Sequence, residues 1–333
     1  MEKAVEKVVD LIGIDEIYVG DQLRLITELV AGEIKWSEFY QTSYPFTSVF
    51  SVCMMTAVAV IILGFITEDY SWVDRLWSIY PTFIILSYAY HAYINDISNA
   101  RLILYVAIVL IWGIRLTCNF ARKGGYSGTE DYRWEVLRKL LPPTVFQVFS
   151  ILFIGFIQMG LLAAITSPGC ILYESADIPL RFIDLIFAAS ILGFIVIETI
   201  ADNQMWNFQQ AKTAYKQRPR KGKGKTLPAG YSKAQLERGF CTNGLFKYSR
   251  HSNFFSEQMI WGIPYLWGAV VTQRYLNWTI IGPVLYVILF TASTLFTEYI
   301  TASKYPEYVE YQATVGRFVP NLGSHWIEPS TAK

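Results

Sequence analysis

The chain is short of charge, of cysteine pairs and of histidine clusters, and each shortage removes a class of protein. Charged residues are 17% of the 333 and hydrophobic ones 53%, whereas soluble domains carry roughly a quarter charged residues. This composition fits lipid as solvent. A net charge of +1 gives no whole-chain attraction for polyanions and argues against nucleic acid as a partner. Cys53, Cys118, Cys170 and Cys241 are widely scattered with no CxxC pair, so neither a disulfide framework nor a cysteine zinc site is expected. His91, His251 and His325 share no metal-ligand spacing, and no metal is expected. No GxGxxG follows a strand. The Gly224-Lys225-Thr226 triplet has Pro219 where a phosphate loop needs glycine, which discards a Walker-type site. Without an internal repeat there is no case for an inverted-repeat transporter. Residues 1–7 lack the basic start and apolar run of a cleavable signal peptide, so the first membrane helix is expected to serve as the targeting signal.

What the chain does have is apolar stretches of spanning length. Uncharged or nearly uncharged runs lie at 46–66, 76–94, 102–118, 144–165, 180–200, 254–272 and 277–297, each near the length that crosses a bilayer. The expected fold is all-α: a polytopic membrane protein with about seven transmembrane helices. Its parts are an amphipathic N-terminal segment (1–45), a seven-helix membrane domain (46–322) and a C-terminal tail (323–333). Basic residues set the orientation. The loop after the third stretch carries Arg122, Lys123, Arg133, Arg138 and Lys139. The loop after the fifth carries Lys212, Lys216, Arg218, Arg220, Lys221, Lys223, Lys225, Lys233 and Arg238. Both are expected in the cytosol. The loop from Thr166 to Pro179 has Glu174 and Asp177 but no basic residue and belongs on the far side. Alternation places the N-terminus outside and the C-terminus in the cytosol. The Lys216 to Gly230 stretch, rich in Lys, Gly and Pro, is expected to be flexible without ligand, and its Lys216 to Lys225 run to bind anionic lipid, with contact to a cofactor 2'-phosphate as the alternative. The Asn277-Trp278-Thr279 sequon is nearly embedded in the seventh stretch, and glycosylation there is not expected.

Three polar clusters sit at the cytosolic ends of these stretches. Arg115, Asn119 and Arg122 recur at four and three residues and share a helix face. Such a face either reaches headgroups and loop acids or clamps phosphate or carboxylate. Glu198 and Asp202 are one helical turn apart, with Asn203, Gln204 and Asn207 following. They are either a helix leaving the membrane or acceptors suited to ribose hydroxyls and a cationic ring. The third cluster, Tyr248, Arg250, His251, Asn253 and Glu257, enters the sixth stretch. Lipid anchoring accounts for its first members but not for Asn253 and Glu257 lying deeper.

Asp74-Arg75-Leu76-Trp77-Ser78-Ile79-Tyr80-Pro81, Trp112 to Asn119, Glu130 to Trp134 and Gly244 to Glu257 together resemble an uncharacterised branch of the steroid 5-alpha-reductase-like membrane superfamily. Glu298, Tyr305-Pro306-Glu307-Tyr308-Val309-Glu310-Tyr311 and Phe318-Val319-Pro320 are similar to its C-terminal pattern. The match spans roughly residues 70–322. Related members are the isoprenylcysteine carboxyl methyltransferases and phospholipid methyltransferases.

The resemblance implies a membrane-embedded, NADPH-dependent oxidoreductase acting on a CH-CH group. Hydride would pass to a lipid-soluble conjugated, steroid-like enone or enoyl substrate, in lipid metabolism at the endoplasmic reticulum membrane. It implies Arg115, Asn119, Arg122, Glu198, Asp202, Tyr248, Arg250, Asn253 and Glu257 as cofactor-binding, and Tyr248 or His251 as the catalytic acid. The chain departs from the pattern in having Trp112 where a carbonyl-binding tyrosine would stand, and Arg250-His251-Ser252 in place of Arg-His-Pro. Two alternatives follow: an S-adenosylmethionine-dependent methyltransferase and a non-enzymatic lipid-binding protein. The expected partners are a lipophilic small molecule and membrane lipids; no sequence feature sets an oligomeric state.

Overall fold

The computed structural model describes residues 19–128, 130–217, 230–323 and 325–328, and among the described residues there is helix but no strand. All seven apolar stretches are helical: α1 Pro45–Thr67, α2 Tyr80–Ile94, α3 Ala100–Arg122, α4 Pro143–Glu174, α5 Phe182–Gln217, α6 Ser252–Thr272 and α7 Ile281–Lys304. Five of them, α1, α3, α4, α5 and α7, are long and apolar enough to cross a bilayer. At 15 residues, α2 is about 22 Å long, short of the roughly 30 Å hydrocarbon core. Helix α6 carries Glu257 and an internal Pro264. The protein is therefore an integral membrane protein. In α1 only 28% of the apolar window is buried, and Met55, Val58, Ile62 and Ile66 form an exposed stripe. Such a stripe is costly in water and neutral in lipid. The basic run of Lys221, Lys223 and Lys225 and the expected flexibility there lie outside the described residues, as do the last residues of the C-terminal tail.

The chain divides into two compact units, residues 1–191 with 261–287 and residues 192–260 with 288–333. In the first unit, side chains shrink where helices approach. A Cβ on Gly113 of α3 would lie 2.1 Å from Thr82 Oγ1 of α2, and one on Gly282 of α7 would lie 1.9 Å from the Ala164 carbonyl of α4. Small residues are how spanning helices come close when lipid offers no hydrophobic drive. Helix α4 contains a π-helical segment, Ser150–Ile157. Fully buried Trp112 meets Trp261 edge to face at 4.9 Å, and Tyr105 meets Trp267 in the same way at 6.2 Å. Trp112 is thus a packing residue of this unit.

One ion pair fixes an end of the unit. Arg101 on α3 and Asp184 on α5, 1% and 0% exposed, meet at 2.7 Å through Nε and 3.2 Å through Nη2. The other Arg101 donors reach the carbonyls of Ser175, Ile178 and Pro179 and the Ser175 hydroxyl. Asp184 also accepts from Trp267 Nε1 at 2.6 Å and from the Arg181 amide at 2.6 Å. One guanidinium thus satisfies three carbonyls of the turn between α4 and α5, where the helical ladder is interrupted. Asn277 does similar local work: only 2% exposed, it accepts from the Thr279 amide and hydroxyl. Its side chain is engaged in capping.

At the opposite sequence end of α1, two of the quoted motifs bind each other. Trp134 Nε1 donates to Asp74 at 2.8 Å, the Asp131 amide donates to Ser71 Oγ, and the Tyr70 amide donates to Glu130. Burial pushes the Asp74 carboxyl above its ordinary range, with Arg133, 3.8 Å away, working against that shift. These residues serve as a clasp between the α1–α2 and α3–α4 connections.

Replacing Arg101 by Met should cost about 3–5 kcal/mol, because it leaves Asp184 buried without its cation. Adding Asp184→Leu should restore part of the loss. Unfolding in mixed detergent micelles measures both; an Arg101→Met protein as stable as the parent would remove the pair's structural role.

Candidate functional site

The second unit gathers polar side chains on three segments. Along α5, Glu198 and Asp202 are each 4% exposed. At the start of α6, Asn253 Nδ2 donates to Asp202 Oδ1 at 3.3 Å, and Glu257, one turn further, is also 4% exposed. Three carboxylates are therefore buried on two adjoining helix stretches. Carboxylates accept and never donate when ionised, so this surface is built for hydroxyl, amide or cationic partners.

The approach to α6 is held from both sides. Gly244 takes φ +61°, and a Cβ there would sit 2.4 Å from the Gln204 carboxamide. The same Gln204 oxygen accepts from the Leu245 amide at 2.8 Å. Backbone pairing then runs between the approach and the C-terminal segment: Arg250 and His251 amides to Gly316 and Arg317 carbonyls, Asn321 amide to the Tyr248 carbonyl, Trp326 amide to the Lys247 carbonyl. Tyr311 donates its hydroxyl to the Phe246 carbonyl, and Ser249 Oγ donates to the Phe318 carbonyl at 2.6 Å. Phe240, Tyr308, Tyr311, Val315 and Trp326 form the packed cluster behind it. The Tyr-Pro-Glu-Tyr and Phe-Val-Pro patterns are thus a strap around residues 239–251.

Glu298 on α7 is the hub. Arg250 closes on it through Nε at 2.7 Å and Nη2 at 3.2 Å, and Arg250 Nη1 donates to the Gln312 and Val315 carbonyls. Four of the five guanidinium hydrogens are so committed. Gln312 Nε2 donates to Glu298 at 3.0 Å, and His251 Nε2 lies 2.9 Å from its other oxygen. Because an ionised carboxylate only accepts, neutral His251 carries its proton on Nε2, which leaves Nδ1 as an acceptor. Burial pushes the His251 imidazole below its ordinary value, against the pull of Glu298, with Arg250 and Arg317 adding to the lowering. A neutral His251 is consequently a base or acceptor. The Tyr248 ring lies 5.8 Å from that of His325, tilted by 48°.

Of the residues expected from sequence, Glu198, Asp202, Tyr248, Arg250, His251, Asn253 and Glu257 fall in this second unit. Arg115, Asn119 and Arg122 fall in the first. There they share a face of α3 as their spacing requires, and Arg122 Nε donates to Asn119 Oδ1 at 3.0 Å. Gln312 and Arg317 carried no sequence signal. Glu298 carried one, an acid at the end of an apolar run, yet its partners are distant in sequence.

Helical spans, a clasp at the α1–α2 connection and a polar, strap-held entry to α6 define an integral membrane protein with one dense polar centre in its second unit. The DUF1295 family, described as a protein of unknown function, matches residues 48–315, and the chain belongs to that family. It is similar to the uncharacterized protein C594.04c of Schizosaccharomyces pombe, 35% identical over 310 residues, covering 92% of this chain and 88% of that protein. No solved structure matches the chain.

Stability should rise with pH in the window just below the ordinary histidine value of roughly 6.5. His251 is held neutral when folded, so the unfolded chain binds more protons there, and the stabilisation is complete above that value and lost as pH falls. In His251→Gln the slope should flatten. Glu298→Gln should lower the His251 pKa further, seen by NMR of histidine-labelled protein, and cost about 3 kcal/mol by stranding Arg250.

Proposed function

We propose that this protein is a membrane-embedded, NADPH-dependent reductase of a lipophilic conjugated substrate, a member of the steroid 5-alpha-reductase-like superfamily. In the same reading, α2 and α6 complete seven spans, with the N-terminus outside and the C-terminus in the cytosol of the endoplasmic reticulum membrane. The observation that carries the proposal is the buried acceptor surface of Glu198, Asp202, Asn253 and Glu257. Carboxylate and carboxamide oxygens are strong acceptors, and a ribose offers such a surface hydroxyl donors on two adjacent carbons. NADPH when bound supplies a hydride to one carbon of a conjugated alkene, while a proton completes the other. The chain's part is to orient that donor, exclude water and polarise the substrate oxygen. Tyr248 is the group for the last task, because neutral His251 is an acceptor. His251, fixed by Glu298, is the group to accept a hydrogen bond from the Tyr248 hydroxyl or from the cofactor amide.

A second reading, S-adenosylmethionine-dependent methyl transfer, draws on the charge balance of the second unit. Its buried arginines are engaged, Arg250 with Glu298 and Arg238 with Glu328 at 2.8 Å. The α5–α6 surface carries the buried carboxylates of Glu198, Asp202 and Glu257, a group type that suits a sulfonium cation.

Thermal unfolding with NADPH, NADH and S-adenosylmethionine in parallel separates these. A ligand at 100 times its dissociation constant adds about 2.7 kcal/mol. NADPH should stabilise the parent, and Glu257→Gln or Asn253→Ala should remove most of that shift while unfolding normally without ligand. A shift with S-adenosylmethionine alone would select methyl transfer, and silence from all three would overturn both in favour of lipid binding.

A further inference from the structure

The helix Val19–Ala31 contains no buried residue, although a 13-residue helix is marginal in water without a surface to lie on. Part of its circumference has a partner. Gln22 Oε1 accepts from the amide of Tyr44 at 2.8 Å, and Tyr44 caps the start of α1. Leu25 and Leu29, on the Gln22 side, are half-buried. A second apolar line remains. Val19, Leu23, Ile26 and Val30 recur at four, three and four residues and so stand within one narrow stripe. Val19, Leu23 and Val30 are 50%, 59% and 82% exposed, and Ile26 between them is half-buried.

What covers this stripe follows from where the helix is tied. Tyr44 precedes a helix that crosses the bilayer, so the Gln22 bond places Val19–Ala31 at the level where α1 leaves lipid. Exposed aromatics mark that level within the same unit. Tyr40 donates to the Ser87 carbonyl and stacks near Tyr90. Trp36, Tyr90 and Tyr93 are 40%, 57% and 77% exposed. Tryptophan and tyrosine collect at the headgroup layer, where one end of the ring is wet. The charges of the helix, Asp21, Arg24 and Glu28, include no cationic excess, so no attraction to anionic lipid is needed or expected.

We propose that Val19–Ala31 is an interfacial helix that lies in the headgroup layer beside the start of α1, with Val19, Leu23, Ile26 and Val30 buried in a zwitterionic lipid surface. The stripe and the belt of exposed rings form one continuous membrane-facing band. This reading depends on the spanning of α1 and not on any cofactor.

The test uses the full chain with Cys118→Ser, since Cys118 is the exposed cysteine while Cys53, Cys170 and Cys241 are buried. Single cysteines at Leu23 and Val30, and at Asp21 and Arg24 on the polar face, carry an environment-sensitive nitrobenzoxadiazole label. The protein is reconstituted in phosphatidylcholine vesicles with brominated acyl chains. Quenching should be several-fold stronger at 23 and 30 than at 21 and 24, and unchanged when a fifth of the lipid is anionic. Equal quenching at all four, or none at 23 and 30, overturns the proposal. A blue shift at 23 and 30 that disappears on dilution of protein in lipid, without bromine quenching, also overturns it and assigns the stripe to a second copy of the chain.

Discussion

A carboxylate closed on both oxygens by one arginine is the interaction on which the polar parts of this protein depend. Arg250 on Glu298 joins the entry of α6 to the end of α7, and the same guanidinium satisfies two carbonyls of the strap. Remove it, and the backbone of residues 312–316 and the imidazole of His251 lose their fixed reference together. The first unit solves its own problem identically, with Arg101 on Asp184 and the carbonyls of the α4–α5 turn. The reason is common to both. Lipid offers no hydrogen bonds, so irregular backbone near the membrane must be satisfied from within. A planar group with five donors does this with one side chain.

This changes how the residue patterns divide between structure and chemistry. Asp74, Trp134, Glu130 and Asp131 are occupied with one another and with backbone. Tyr311 and Ser249 are occupied in holding the strap. Arg250, which as a lone cation near a membrane would suggest phosphate, has most of its donors committed. The groups whose positions these contacts determine are fewer: Tyr248, His251, Asn253 and the buried acids of α5 and α6.

The apolar stretches were readable because each is a run longer than a turn of any competing pattern, and every one of the seven is helical. Their ends were less readable for specific reasons. The second stretch begins at residue 76 by hydropathy, but Pro81 favours the first turn of a helix, so α2 starts at Tyr80 and Trp72–Leu76 is a separate short helix. The fifth continues beyond residue 200 to Gln217 because Phe208, Ala211 and Tyr215 keep one face buried in the second unit's own core. Glu198, Asp202, Asn253 and Glu257 could be singled out because an acid or amide inside an apolar run is expensive. The pairs that give them a setting could not. Arg101 and Asp184 are 83 residues apart, and His251 and Glu298 are 47 apart, and neither separation leaves a periodic trace.

The tautomer of His251 constrains any chemistry assigned to this centre. With Nε2 donating to Glu298, the ring presents a lone pair at Nδ1, and burial resists adding a second proton. An active site that needed His251 as a proton donor would have to work against both terms. One that needs an acceptor, to take a hydrogen bond from a phenol or to hold an amide, uses the group as it stands. The carboxylate therefore acts on the imidazole twice. It fixes which nitrogen is free, and it anchors the ring to the same α7 residue that anchors Arg250, so the acceptor and the start of α6 share one attachment.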